Sequence, residues 1–223
     1  MAGMKTRERI AMASLSLFNH FGEPNVTTLQ IADELNISPG NLYYHFKNKT
    51  EILNDLFGRF ERQMLSLISA PDAEVSIDDY WIVLHLVFEC IAEYQFLYKD
   101  LVNILQRYER IAPRFRKILN RKLAVTQSVL QRLKERHIID ATDAELAALA
   151  HNVVLTLTWW PSYDVVTAKL PQEMDLNRGI AQTISQVAPY LRASERAEVL
   201  ALSREYLDSD PGAMQNRDVH AQE

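Results

Sequence analysis

Between Ser38 and Leu53 the chain reads SPGNLYYHFKNKTEIL. Asn41, Tyr43, Tyr44, His45 and Lys49 crowd amide, phenol, imidazole and ammonium groups into one short stretch. No nucleophile is paired with a base here, so the chemistry on offer is recognition. Asn and His side chains address base edges through donors and acceptors. Phenols reach phosphates with their hydroxyls and offer their rings to sugars or thymine methyls. A Lys at a helix N-terminus suits a phosphate. Ser38 is placed to cap a helix, with Pro39 at its first position, where a missing N–H costs nothing. Pro39 and Gly40 are also small, which lets the backbone come close to a groove. Just upstream, Thr27 and Thr28 open another helix and present hydroxyl and N–H groups suited to phosphate.

The flanking sequence supplies elements to hold such a helix. A first helix is expected from Lys5 to Phe21, with Ile10, Ala13, Leu17 and Phe21 as its apolar stripe. The turn GEPN ends it. Thr27 and Gln30 form a capping box for a second helix, whose buried stripe is Ile31, Ala32 and Leu35. Asn36 and Ile37 make a tight connection to a third, short helix with Leu42 and Phe46 inward. Asn48 and Glu51 begin a fourth helix by the same reciprocal capping, with Ile52, Leu53, Leu56, Phe60, Met64 and Leu67 inward. Two short helices joined by a tight turn and braced by a first helix form a helix-turn-helix, whose second helix enters the DNA major groove.

The run TTLQIADELNISPGNLYYHFKNKTEIL resembles the signature of the TetR family of transcriptional regulators. The matching pieces are T-x-x-x-I-A, G-x-L-Y-x-H-F and K-x-K-x-x-L, and the likeness covers about residues 5–66. The resemblance implies a homodimer that binds a palindromic operator on double-stranded DNA. It implies a C-terminal domain that dimerises and takes a small-molecule effector. It places Thr28 at a phosphate, Gly40 and Asn41 at the groove, Tyr43, Tyr44 and His45 on the reading helix, and Lys49 at its exit.

Three domains are expected: a helix-turn-helix unit over residues 1–68 (motif 27–46), a helical ligand-binding and dimerisation unit over 69–207, and a disordered polar tail over 208–223. Helices are expected at about 77–106, with a break near Tyr94 to Phe96, then at 112–137, 142–163, 176–192 and 194–207. Strand-like alternation is absent, so the fold class is all-α. The chain has 223 residues, 48% of them hydrophobic, enough for a substantial core. Its one cysteine, Cys90, excludes an internal disulfide framework. With no apolar run long enough to span a bilayer and no signal-peptide core, a cytoplasmic protein with no membrane partner is expected.

The net charge of -5 does not advertise nucleic-acid binding. Residues 1–70 balance 7 Lys and Arg against 7 Asp and Glu, so the placement of charge must serve instead. Lys5, Arg7, Lys47 and Lys49 are expected near DNA, with Asp33, Glu34, Asp55 and Glu61 turned away. Residues 99–137 carry 11 basic and 3 acidic residues. Their core, Arg107 to Lys122, reads as a solvated face, or as an attractor for an anionic ligand or for the acidic segment Asp72 to Asp79.

No G-x-S-x-G, Walker loop or H-E-x-x-H occurs, and no cofactor or enzymatic activity is expected. His85, Glu89 and Cys90 offer metal-binding atoms, but from one helix alone, so no metal is assigned. Aromatics gather in the C-terminal half: Trp81, Phe88, Tyr94, Phe96, Tyr98, Trp159, Trp160 and Tyr163. They read as core or as a cavity, and Trp81, His85, Phe88, Asn103, His151 and Trp159 are the candidate lining. Leu146, Leu149, Val153, Leu157 and Trp160, with Ile180, Ile184, Val187 and Leu191, recur at helical spacing. They suit a four-helix dimer interface or an internal core. The expected protein is a ligand-responsive repressor. The competing readings are a DNA-binding protein without an inducer and a helical enzyme or carrier with a vestigial helix-turn-helix.

Overall fold

The computed structural model describes residues 5–69, 77–167 and 175–208. The tail beyond Asp208, Pro171 and the side chains of Asp72 to Asp79 lie outside these described residues. The described helices are α1 (Thr6–Phe21), α2 (Thr28–Glu34), α3 (Pro39–His45), α4 (Lys49–Leu67), α5 (Ile77–Glu93), α6 (Gln95–Lys99), α7 (Leu101–Arg107), α8 (Ala112–Glu135), α9 (Asp143–Thr167), α10 (Leu176–Val187) and α11 (Ala193–Asp208). Among the described residues there is no strand, only an isolated bridge between Ile139 and Leu191. The fold is all-α.

The chain forms two compact units. The first joins residues 1–66 to 93–118, and the second joins 67–92 to 119–223. The sequence boundary at 68–69 differs from this division, because α6, α7 and the start of α8 return to the N-terminal helices.

In the first unit, α1 buries Ile10, Ala11, Ser14, Leu15 and Phe18. This corrects the expected stripe: Phe21 is 55% exposed and Ala13 and Leu17 are half-buried. The inward face is set by 10, 14 and 18, and Ser14 joins it by donating its hydroxyl to the Ile10 carbonyl at 2.7 Å. Gly22, at φ 81°, ends α1, its N–H donating to the Phe18 carbonyl.

The long helix expected over 77–106 breaks at Tyr94. There Asn19 acts as a clamp, donating to the Glu93 carbonyl at 2.8 Å and accepting from the Phe96 N–H at 3.1 Å. Tyr94, Phe96 and Tyr98 are thereby delivered into the first unit's core. Phe96 meets Phe18 at 5.4 Å between ring centres, and Tyr98 meets Phe60 and Phe115 at 5.8 Å each.

In the second unit, α9 packs along α10. Leu146, Leu149, Val153, Leu157 and Trp160 are buried within the chain, as are Ile180, Ile184, Val187 and Leu191. These nine are internal core, so this set does not present itself to a partner. Gly179 permits the close approach: a Cβ there would lie 2.5 Å from Phe88 Cε1 and 2.8 Å from the Trp160 ring. The outward face of α9 carries Leu155, Trp159, Tyr163 and Val166, all exposed, again at helical spacing. α9 also runs on through Pro161 to Thr167 instead of ending near residue 163.

Candidate nucleic-acid interface

The reading helix is built by local capping. Thr27 and Gln30 close the capping box of α2, with Gln30 N–H on Thr27 Oγ1 at 3.2 Å and Thr27 N–H on Gln30 Oε1 at 2.8 Å. The exit from α2 needs a left-handed residue, and Asn36 supplies it at φ 52°. Asn36 N–H then donates to Asp33 O at 2.9 Å and Ile37 N–H to Ala32 O at 3.0 Å, the paired bonds of a Schellman turn. Ser38 Oγ accepts the Asn41 N–H at 3.2 Å to start α3. For α4, Asn48 Oδ1 accepts the Glu51 N–H at 2.9 Å, but the Glu51 carboxylate reaches Lys47 N–H instead of Asn48 N–H.

Leu42 and Phe46 are fully buried, which turns the rest of α3 outward. Ser38, Pro39, Gly40, Asn41, Tyr43 and Tyr44 are exposed and His45 is half-buried. Tyr44 stands 85% exposed, its ring meeting only the edge of His45 at 5.1 Å between ring centres, an unusual exposure for an aromatic side chain. Tyr43 is tied to α2, its hydroxyl 2.9 Å from Thr28 Oγ1, so these two candidate phosphate ligands form one hydrogen-bonded pair. Lys47 is exposed, as are Asp33 and Glu34.

Lys49 is placed differently. Its ammonium ion-pairs with Glu23 Oε1 at 2.8 Å and donates to the carbonyls of Glu23 and Val26 at 2.8 and 2.9 Å. A phosphate must displace these bonds to reach it. Glu23 has a fully buried side chain and also accepts from Arg107 at 2.7 Å and from the Tyr108 hydroxyl at 2.7 Å. Burial raises the Tyr108 phenol pKa, and the adjacent carboxylate raises it further. This junction ties the turn after α1 to α4 and α7. In sequence Glu23 is one acid in a turn, with nothing to mark it as buried.

A second network braces α3 from behind. Arg7 donates to the His45 carbonyl at 2.6 Å and to Asp55 at 2.9 Å, and lies 4.0 Å over the Phe46 ring. Arg59 donates to Asp55 at 2.9 Å and to Glu8 at 2.6 Å. Burial raises the Asp55 carboxyl pKa, but the hydrogen bonds from Arg7 and Arg59 outweigh it and leave the pKa below its ordinary value. The Arg59 hydrogen bond lowers the Glu8 carboxyl pKa as well. Arg7 therefore positions the reading helix, while Asp55 and Glu61 are engaged by arginines, Glu61 by Arg114 at 3.0 Å.

In the second unit a cavity of about 150 Å³ is walled by Val, Leu and Ile side chains together with Tyr80, Trp81, Thr126, Thr183 and Lys122. Of the six candidate lining residues, Trp81 alone lies on this wall. His85 pairs with Glu89 at 3.3 Å, Phe88 packs at Gly179, and Asn103 bonds Asp100 in the first unit. His151 is exposed and bonds the Ala147 carbonyl, and Trp159 lines an outer groove with Leu155, Tyr163 and Gln182. Among the described residues no group of three or more His, Cys, Asp or Glu could hold a metal. Among them, no helix is long and apolar enough to cross a membrane.

A short exposed helix, capped by Ser38 and presented by a partner helix, defines a helix-turn-helix DNA-binding unit. Known proteins give the class its name. Residues 10–56 match the family of bacterial regulatory proteins called the tetR family, and residues 59–199 match its bacterial transcriptional repressor domain. The chain belongs to the TetR family and is a DNA-binding transcriptional regulator of repressor type. It is 22% identical to the HTH-type transcriptional regulator UidR of Escherichia coli K12, over 82% of this chain and 92% of UidR. A probable acrEF/envCD operon repressor of the same organism is 33% identical over 54 residues, 24% of each chain. Among solved structures, a TetR-family regulator from Marinobacter aquaeolei VT8 superposes with a TM-score of 0.81 at 36% identity, covering 91% of this chain and 99% of that one. A complex of SmeT with triclosan shares the fold, with a TM-score of 0.57 at 20% identity over 84% of this chain and 92% of SmeT.

Proposed function

We propose that the protein is a ligand-responsive repressor that binds a palindromic operator as a homodimer. The observation that carries this reading is the exposed surface of α3, where Asn41, Tyr44 and the edge of His45 point away from a helix braced by Arg7. Thr27, Thr28, Ser38 and Tyr43 supply the phosphate contacts around it, and Pro39 and Gly40 leave room for the backbone. The outward apolar face of α9, with Gln182 and Ser185 of α10, is the dimer surface in this reading, because an exposed row of Leu155, Trp159, Tyr163 and Val166 calls for cover. The cavity of the second unit is the effector site, a role supported by its apolar wall and by triclosan binding in SmeT. Half-sites read by a dimer lie about 34–36 Å apart, so a shift of a few ångströms between reading helices weakens binding. Emptying an occupied operator requires the effector to discriminate the two states by about 5 kcal/mol.

Selection from random DNA duplexes at about 0.15 M salt, near physiological ionic strength, tests the reading. Enrichment of a palindrome with half-sites one turn apart, lost in Asn41→Ala and Tyr44→Ala proteins of unchanged melting temperature, is the expected result. Failure to enrich any sequence, even at low salt, overturns it.

A further inference from the structure

Four charged side chains in a row connect α1 and α4 to the end of α3. Glu8 on α1 accepts from Arg59 on α4 at 2.6 Å, Arg59 donates to Asp55 at 2.9 Å, and Asp55 accepts from Arg7 at 2.9 Å. Arg7 completes the row on the His45 carbonyl at 2.6 Å, with its guanidinium 4.0 Å over the Phe46 ring. Two cations and two anions cancel, so the row as a whole brings no net charge with which to attract DNA.

Arg7 is not disposed as a phosphate ligand. Each terminal nitrogen of its guanidinium already donates within the chain, one to His45 and one to Asp55. The carbonyl it holds closes the last turn of α3, where no further helix N–H follows to satisfy it. A cation also suits the negative end of a helix. α3 is only seven residues long, so holding its last carbonyl fixes the angle at which Asn41, Tyr44 and His45 face outward. Contacts to base edges need side chains held to within about 0.5 Å. Contacts to phosphate carry no sequence information. A reading helix free to rock therefore loses selectivity before it loses affinity for DNA in general.

We propose that Asp55 is a positioning residue for operator selectivity: it orients the Arg7 guanidinium that holds the end of the reading helix, and neither side chain acts at the phosphates. The proposal rests on the reading of α3 as the groove helix. It reverses the sign expected of an acid in a DNA-binding unit. Charge alone predicts that removing Asp55 strengthens binding to every duplex. Positioning predicts that the operator is bound less well while other DNA is not.

The test is fluorescence anisotropy with the full chain and two duplexes, one enriched by the wild type from a random pool and one scrambled duplex of the same length, at several salt concentrations. Asp55→Asn keeps the shape of the side chain and removes its charge. It is expected to bind the enriched duplex about tenfold more weakly, the worth of one well-placed base contact, and the scrambled duplex at least as tightly as wild type does. Arg7→Met is expected to show the same loss of preference, with an unchanged salt dependence on the scrambled duplex. If Asp55→Asn keeps the wild-type preference, whether both affinities rise or neither moves, the positioning role is overturned while α3 as the groove helix stands. A salt slope reduced by about one in Arg7→Met makes that arginine a phosphate ligand and overturns it as well. If the wild type enriches no duplex, or does not tell the two apart, the reading of α3 falls and the proposal with it. A partly unfolded variant loses both duplexes by the same factor, so its preference does not move and it cannot imitate the expected result.

Discussion

Replacing Glu23 by Gln keeps the shape of the side chain and removes the charge on which the junction after α1 depends. The carboxylate serves Lys49, Arg107 and the Tyr108 hydroxyl from a fully buried position. Removing one member of a buried ion pair costs about 3–5 kcal/mol. Here the Lys49 and Arg107 side chains are 25% and 46% exposed, so water recovers part of their solvation. We therefore expect a loss of about 2 kcal/mol. For a chain of this size that lowers the melting temperature by about 4–8 °C. Tyr108→Phe should cost about 1.5 kcal/mol alone, since it deletes a hydrogen bond to a charged group. Combined with Glu23→Gln the losses should be less than additive, because one change weakens and the other removes the same bond. Urea denaturation followed by circular dichroism reads all three variants. A Glu23→Gln protein within 0.5 kcal/mol of wild type, or strict additivity with Tyr108→Phe, refutes the reasoning. The junction also bears on DNA: if Lys49 is held by Glu23 and not by phosphate, Lys49→Met lowers stability and leaves the salt dependence of operator binding unchanged. A slope reduced by about one would instead assign Lys49 to phosphate.

Trp159→Glu on the outward face of α9 should convert a dimer to monomers in sedimentation velocity and weaken DNA binding, with the fold retained by circular dichroism; an unchanged dimer would move the interface elsewhere. Asp55 and Glu8 have lowered pKa values in the folded state, so their stabilisation is present above their ordinary values near about pH 4 and is lost as pH falls through the lowered ones. Melting temperatures from pH 6 to pH 3 should therefore fall less steeply in Arg59→Met, and parallel curves would count against the network. Gly179→Ala should cost about 1–3 kcal/mol, because the new methyl meets Phe88 and Trp160 and the α9–α10 pair must part; a neutral effect would mean those rings can shift.

The short-range parts of this molecule were legible in the sequence because they are decided within a few residues. The Thr27–Gln30 box, the Ser38–Pro39 start and the tight connection at Asn36 and Ile37 were readable from residue type and spacing. So was the outward display of Tyr44, since Leu42 and Phe46 use up the inward face of a seven-residue helix. The break at Tyr94 was visible as a position, but its cause, the Asn19 clamp 74 to 77 residues away in sequence, was not.

Tertiary packing decided the rest. α9 is apolar on two faces, of which the spacing in sequence picked out only the row through Leu149, Val153, Leu157 and Trp160, not the row through Leu155, Trp159 and Tyr163. Only the seating of α10, permitted by Gly179, determines that the first row is internal and the second is left outside. Charge behaved the same way. Arg107, Arg114 and Lys122 stand in one basic run, yet Arg107 meets Glu23, Arg114 meets Glu61, and Lys122 is buried. A run of like charges states a composition. Which of its members is solvated, paired or buried depends on side chains dozens of residues away, and those distances exist only once the helices have packed.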